Sequence, residues 1–276
     1  MAFLLAVLTS VFYGVFDFAG GMATRRAPVL AVAVWSNVAG LGLAFLIAAV
    51  HHLAVGATVT RADVAWGLVS GVAAVAGVVF YFLGLAKGRM AVVAPVSAVT
   101  LGLVPFLFGV AMGERHALVS WLGVLVAMPA LWLTVHTRSR SVGPAMAKFG
   151  FAAGLTFSVF FIGVAQISSD AGLWPLVGIK LGGLVSVAVL VALRRVPLSL
   201  SPKARTLALV AGGSVLANLT YLLAVQIGPF GLVAVASSFY PVVVAVLARI
   251  VDKQKISPQR MMGLALSVVA LSLIVL

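Results

Sequence analysis

The sequence predicts an all-α polytopic membrane protein, with ten transmembrane helices arranged as two inverted five-helix repeats. Three observations carry this. The 276 residues are 63% hydrophobic and only 8% charged, with a mean hydropathy of +1.25, whereas a soluble domain carries about 25% charged residues. Cutting the chain at charges and at Gly or Pro clusters leaves ten apolar segments, most of them long enough to cross about 30 Å of hydrocarbon. The second half also repeats the first.

The first five segments run from Phe3 to Ala19, Pro28 to Ala49, Val64 to Leu85, Val92 to Met112 and Ala117 to Val135. The next five run from Phe149 to Ile167, Leu173 to Leu193, Thr206 to Ile227, Leu232 to Ile250 and Pro258 to Leu276. The opening stretch MAFLLAVLTSVF lacks the basic region and cleavage site of a signal peptide, so it is expected to remain as the first span. The segments are apolar all round, without the two-residue alternation of a membrane β-barrel. Small residues such as Gly67, Gly71, Gly77, Gly182 and Gly183 are expected at close helix crossings.

At a shift of 140 positions Tyr81 meets Tyr221, Gly88 meets Gly228, Ser97 meets Ser237 and Gly123 meets Gly263. Residues 1–140 and 141–276 therefore read as two copies of one five-helix unit. An odd number of spans sends the second copy into the bilayer from the opposite side. Inverted repeats place two similar bundles around an axis in the membrane plane, which is a carrier's architecture with its site at the midplane.

The formal charge is +13, which in a soluble chain would point to nucleic acid. Here the charges sit in short loops, so no nucleic-acid partner is expected. With ten spans, one face holds Arg61 and Arg115 and the other holds fifteen Lys or Arg, from Arg25 and Arg26 to Arg260. The positive-inside rule makes the basic face cytoplasmic and both termini external, in a multi-pass plasma (inner) membrane protein. Zero cysteines exclude disulfides, thiolate metal sites and a cysteine nucleophile. His51, His52, His116 and His136 sit at span ends, away from any partner for catalysis or a metal. Neither an enzyme nor a cofactor is expected.

Several stretches are similar to one family. They are FYGVFDFAGGMATRR (12–26), LAKGRMAVVAPVSAV (85–99) and GERHALVSWLG (113–123) in the first half. In the second half they are AGLWP (171–175), LAVQIGPFGLVAVASSFYPVVVAVLAR (223–249) and SPQRMMG (257–263). In this order the chain resembles the EamA-type transporters of the drug/metabolite transporter superfamily, ten-helix carriers made of two inverted repeats. The resemblance implies a small metabolite, amino-acid-like and exported, as substrate. It also implies a cavity lined by spans one, three, four, six, eight and nine. The chain departs from the family at Lys253-Gln254-Lys255, where relatives have Gly-Glu-Arg, although Gly113-Glu114-Arg115 is intact. Glu114 is accordingly read as a structural cap. Relatives are commonly drawn with both termini inside, against the charge count, and the charge count is followed here.

Two ionisable residues, Asp17 and Lys180, lie inside apolar spans, where a charge costs at least about 2.5–3.5 kcal/mol. Lys180 either faces a water-filled cavity, ready for an anionic group, or snorkels or pairs structurally. Asp17 either couples transport to a proton or neutralises Lys180 or the nearby arginines. Asn37, Tyr81, Ser97, Thr100, Gln166, Asn218, Tyr221, Ser237, Ser238 and Tyr240 are each glue between helices or, as a set, a cavity lining. Of these, Tyr81, Ser97, Asn218, Tyr221, Ser237 and Tyr240 join Asp17 and Lys180 as the expected site. Tyr240-Pro241 is expected to break a helix and free backbone carbonyls. A channel or a non-transporting scaffold is the alternative. A channel needs a continuously polar pore, and these spans are too apolar for one.

Overall fold

The computed structural model describes residues 1–86, 90–135, 147–251, 253 and 257–275. Gly88, His136, Gln254, the boundary at 140 and five of the basic residues (Lys87, Arg89, Arg138, Arg140, Lys255) lie outside the described residues. The described chain is helical throughout, with no strand among the described residues. Spans one to seven are single helices: α1 (Ala2–Thr24), α2 (Val29–Val55), α3 (Arg61–Ala86), α4 (Met90–Ala111), α5 (Leu118–Val135), α6 (Ala147–Ala165) and α7 (Pro175–Arg194). The eighth span is broken into α8 (Pro202–Ala211) and α9 (Val215–Ile227) by a 3₁₀ turn at Gly212–Ser214. The ninth is broken into α10 (Phe230–Ser237) and α11 (Tyr240–Ile250), and α12 (Pro258–Val275) is the tenth. Among the described residues eight spans are long and apolar enough to cross a bilayer, with the described parts of α5 and α12 as shorter apolar helices.

The breaks have local causes. Pro241, in the first turn of α11, has no N–H to carry the helix across Ser238 and Phe239. In the eighth span the chain tightens where Gly212 is packed against its neighbour, since a Cβ there would lie 2.8 Å from the Ser36 carbonyl oxygen of α2. Gln166, expected inside the sixth span, falls just past the end of α6 and is exposed. There the chain turns through Ser168 toward α7.

Eight spans close into a ring. α1 packs on α8 and α9, α8 on α2, α2 on α7, α7 on α3, α3 on α6, α6 on α4, α4 on α10, and α10 and α11 on α1. α5 and α12 pack on each other outside it. The tightest seam is α3 on α7, where a Cβ on Gly71 would lie 2.1 Å from the Ile179 carbonyl oxygen and one on Gly182 2.4 Å from that of Leu68. Backbones this close are how bilayer helices gain dispersion contact without a hydrophobic drive.

Carboxylates stitch one end of the ring. Asp63 accepts from the Thr60 N–H (2.9 Å) and from the Ser168 N–H across the bundle (2.8 Å), joining the α2–α3 and α6–α7 connections. Glu114 accepts from the Gly231 N–H (2.9 Å) and caps α10, which joins the α4–α5 and α9–α10 connections. This end carries Arg61 and Arg115. At the opposite, basic end, Trp35 Nε1 donates to the Leu198 carbonyl (3.0 Å) between α2 and the α7–α8 connection.

Candidate functional site

The ring encloses a cavity of about 260 Å³, near the lower end of the roughly 300–1,000 Å³ usual for small-molecule sites. Its polar wall is built by α1, α7 and the eighth span. On α1, Tyr13 and Asp17 are four residues apart and share a face. Ser214, at the 3₁₀ turn, and Asn218, in the first turn of α9, are likewise four apart and line the cavity. Tyr13 Oη donates to Asn218 Oδ1 at 2.5 Å. Lys180 Nζ, from α7, donates to Ser214 Oγ at 3.0 Å. Tyr240, at the start of α11, completes this wall, its ring centroid 6.2 Å from that of Tyr13.

Lys180 is 8% exposed, whereas Asp17 is exposed within its span. Asp17 faces the open space of the cavity, and each of the two charges lies within the electrostatic field of the other. No ion pair joins them among the described residues, and the ammonium goes to a hydroxyl instead. The Lys180 stem lies over Gly40 of α2, where a Cβ would come within 3.1 Å of its Cδ and Cε. Reciprocally, Asn37 of α2 lies over Gly183 of α7, where a Cβ would come within 2.7 Å of Asn37 Oδ1. Each helix carries a polar residue and, three positions on, the glycine that receives its partner.

The opposite wall is apolar. Phe157, Phe160 and Phe161 of α6 and Leu101 of α4 line it, continued by Val75, Val78 and Val79 of α3. The lining reaches Val29 and Leu30, the first residues of α2, but on α3 it begins only at Gly71. The cavity therefore extends toward the basic end. At the other end it is floored by the Phe161–Tyr221 ring contact, with centroids 4.4 Å apart. The buried Thr9–Thr220 hydroxyl pair (2.8 Å) lies beyond the Tyr13–Asn218 pair on the same two helices.

Of the residues expected from sequence, the structure brings Asp17, Lys180, Asn218 and Tyr240 together on the cavity wall, with Asn37 beside them. Tyr81 is half-buried and within the electrostatic field of Asp17 and Tyr240, but it is not part of the lining. Tyr221 is fully buried and donates to the Phe161 carbonyl oxygen (3.2 Å). Ser97 is buried at the α4–α6 contact, where its carbonyl oxygen would lie 2.7 Å from a Cβ on Gly154. Ser237 is buried at the end of α10 with its hydroxyl unpartnered. Sequence reasoning did not single out Tyr13 or Ser214. The four-residue spacing of Tyr13 to Asp17 and the Gly-Gly-Ser run at 212–214 are the signals that mark them.

No curated protein matches the chain. A solved structure described as "Crystal structure of protein" superposes with a TM-score of 0.78 over 100% of this chain and 98% of its own, at 20% identity. That likeness concerns the fold. Residues 145–276, from just before α6 to the end of the chain, match the model of the EamA-like transporter family. The matched residues supply Lys180, Ser214, Asn218 and Tyr240 to the polar cavity, so the second half of the all-helical ring is similar to the EamA-like transporter family.

Proposed function

We propose that the chain is a secondary carrier of a small dipolar, amino-acid-like metabolite, working by alternating access around the midplane cavity and exporting its substrate across the plasma membrane. The observation that carries this reading is one cavity holding a carboxylate and an ammonium that do not pair with each other. A substrate ammonium fits Asp17, and a substrate carboxylate fits Lys180 with the amide of Asn218. Polyphosphates would need several more cations than this wall offers.

The ring supports the two inverted repeats, 1–140 and 141–276. Each contact in it has a counterpart five spans on: α1 with the eighth span answers α6 with α3, and α1 with the ninth answers α6 with α4. The extension of the cavity toward the basic end supports export, because positive-inside assigns that end to the cytoplasm. Asp17, lining the cavity within the electrostatic field of Lys180, is the group suited to exchange a proton for substrate.

A thermal-shift screen of purified protein against amino acids, sugars, polyamines and nucleotide sugars tests the substrate class, since a ligand of the folded state raises its apparent stability. Stabilisation by amino acids is expected, and stabilisation by phosphorylated ligands alone refutes the reading. Saturable counterflow in proteoliposomes separates a carrier from a channel. For orientation, single cysteines are introduced into this cysteine-free chain. In intact cells an impermeant thiol reagent is expected to label Arg61→Cys but not Lys203→Cys, and the reverse pattern overturns the assignment.

A further inference from the structure

We infer that Ser214 is a positioning residue that holds the Lys180 ammonium off Asp17 and so keeps the slot between the two charges open for a ligand. This rests on the dipolar-substrate reading above and adds the device that makes such a site usable.

Opposite charges sharing a low-dielectric cavity attract strongly, and unless something intervenes the longer side chain collapses onto the shorter. Here α1 and the eighth span run in opposite directions across the bilayer. With Tyr13 bonded to Asn218, the residue four positions after Tyr13 stands level with the residue four positions before Asn218. Asp17 therefore stands level with Ser214, and Lys180 reaches that level from α7. At this level the ammonium has a choice, and it donates to Ser214 Oγ at 3.0 Å.

Two features fix that hydroxyl in place. Ser214 ends the 3₁₀ turn whose first residue, Gly212, is wedged against α2, with a Cβ there meeting the Ala39 Cβ at 2.7 Å. One turn on, the Tyr13 bond pins Asn218. The Lys180 stem packs closely over Gly40 of α2, which limits the directions its ammonium can take. A ligand carboxylate can take Lys180 from Ser214 while a ligand ammonium takes Asp17. A Lys180–Asp17 pair would exclude both.

The test is a double-mutant cycle in detergent without ligand, followed by binding. In the parent protein Asp17→Asn removes an unpaired carboxylate and is expected to leave Tm unchanged or raised. In Ser214→Ala, where Lys180 has fallen onto Asp17, the same change is expected to lower Tm by about 4 °C or more. Additive shifts overturn the inference. Binding is then read with L-norleucine, n-pentylamine and hexanoate, which separate the two charges on similar chains. Norleucine affinity is expected to drop about tenfold in Ser214→Ala and to return in Ser214→Thr. Equal affinity of parent and Ser214→Ala overturns the inference while leaving the carrier reading intact. A parent protein that binds none of the three counts against the dipolar substrate, and the ligand-free cycle still decides the role of Ser214. A serine that only supported the fold would lower Tm by itself and leave the Asp17→Asn shift the same in both backgrounds.

Discussion

α1 and α6 hold equivalent places in the ring, each packed against two spans of the other half of the chain, yet they face the cavity with different chemistry. α1 presents Tyr13 and Asp17, whereas α6, at the same four-residue spacing, presents Phe157 and Phe161. The same holds for α2 and α7, which lie over each other's glycines but carry Asn37 on one and Lys180 on the other. What recurs around the ring is the packing, set by small residues and backbone contact. What does not recur is charge: one carboxylate comes from the first half and one ammonium from the second. A substrate with two unlike ends accordingly has one orientation in which each end finds its match.

The comparison breaks most severely if charge is removed from the polar wall. Lys180→Met fits the same stem over Gly40, so folding and monodispersity should persist, while truncating a buried charged contact to ligand typically costs about 2–5 kcal/mol. Uptake into proteoliposomes should fall at least about thirtyfold. Normal flux would show that Lys180 is only structural. Next in size is the seam that both walls rest on. Gly71→Ala drives a methyl into the Ile179 carbonyl oxygen, 2.1 Å away in the present backbone. Overpacking of this kind costs about 1–3 kcal/mol, which should appear as a Tm lowered by up to about 10 °C. An unchanged melting curve would mean that α3 and α7 part more easily than their contact implies.

The polar wall was more legible in the sequence than the aromatic one, for a physical reason. Asp17 and Lys180 stand out because a charge inside an apolar span needs a justification, Asn218 because it is polar inside an apolar span, and Tyr240 because it precedes the helix-breaking Pro241. The family model matching residues 145–276 agrees with the resemblance read from AGLWP and the motifs after it. Which face of a span looks into the cavity was not legible, because in lipid the cavity face, the packing face and the lipid face are all mainly apolar. That is why Tyr221, buried under Phe161 with its hydroxyl on a carbonyl, was grouped with cavity residues. For the same reason nothing in the sequence sets Phe157 and Phe161, which do line the cavity, apart from the other apolar residues of their span. Tyr13 was overlooked as one more aromatic, and Ser214 was lost in a glycine run inside an apolar span.

A gentler change sharpens the contrast from the aromatic side. Phe157 lies against Gly77 of α3, where a Cβ would come within 2.6 Å of its ring, and faces the cavity with its other side. Phe157→Ala should weaken binding of a ligand with an apolar side chain about tenfold and leave a ligand such as glycine unaffected. Equal losses for both ligands would mean that the ring shapes the bundle rather than the site.

The smallest effect is expected on α1 itself, where two glycines one above the other along the polar-wall helix do different things. Gly14 is locked against the ninth span, since a Cβ there would lie 2.4 Å from the Val243 Cβ. Gly21, two turns further on and past Asp17, has nothing within 4 Å of the place a Cβ would take. It is exposed, helical, and one turn from the end of α1 at Thr24. Replacing it by Ala removes a glycine's conformational freedom from the unfolded chain without meeting anything in the folded one, a gain of about 0.5–1 kcal/mol. Gly21→Ala should therefore raise Tm by about 1–4 °C with transport unchanged. A loss of transport with stability retained would show that this turn of α1 must unwind or bend during the cycle, so that the helix carrying Asp17 is a moving part rather than a fixed wall.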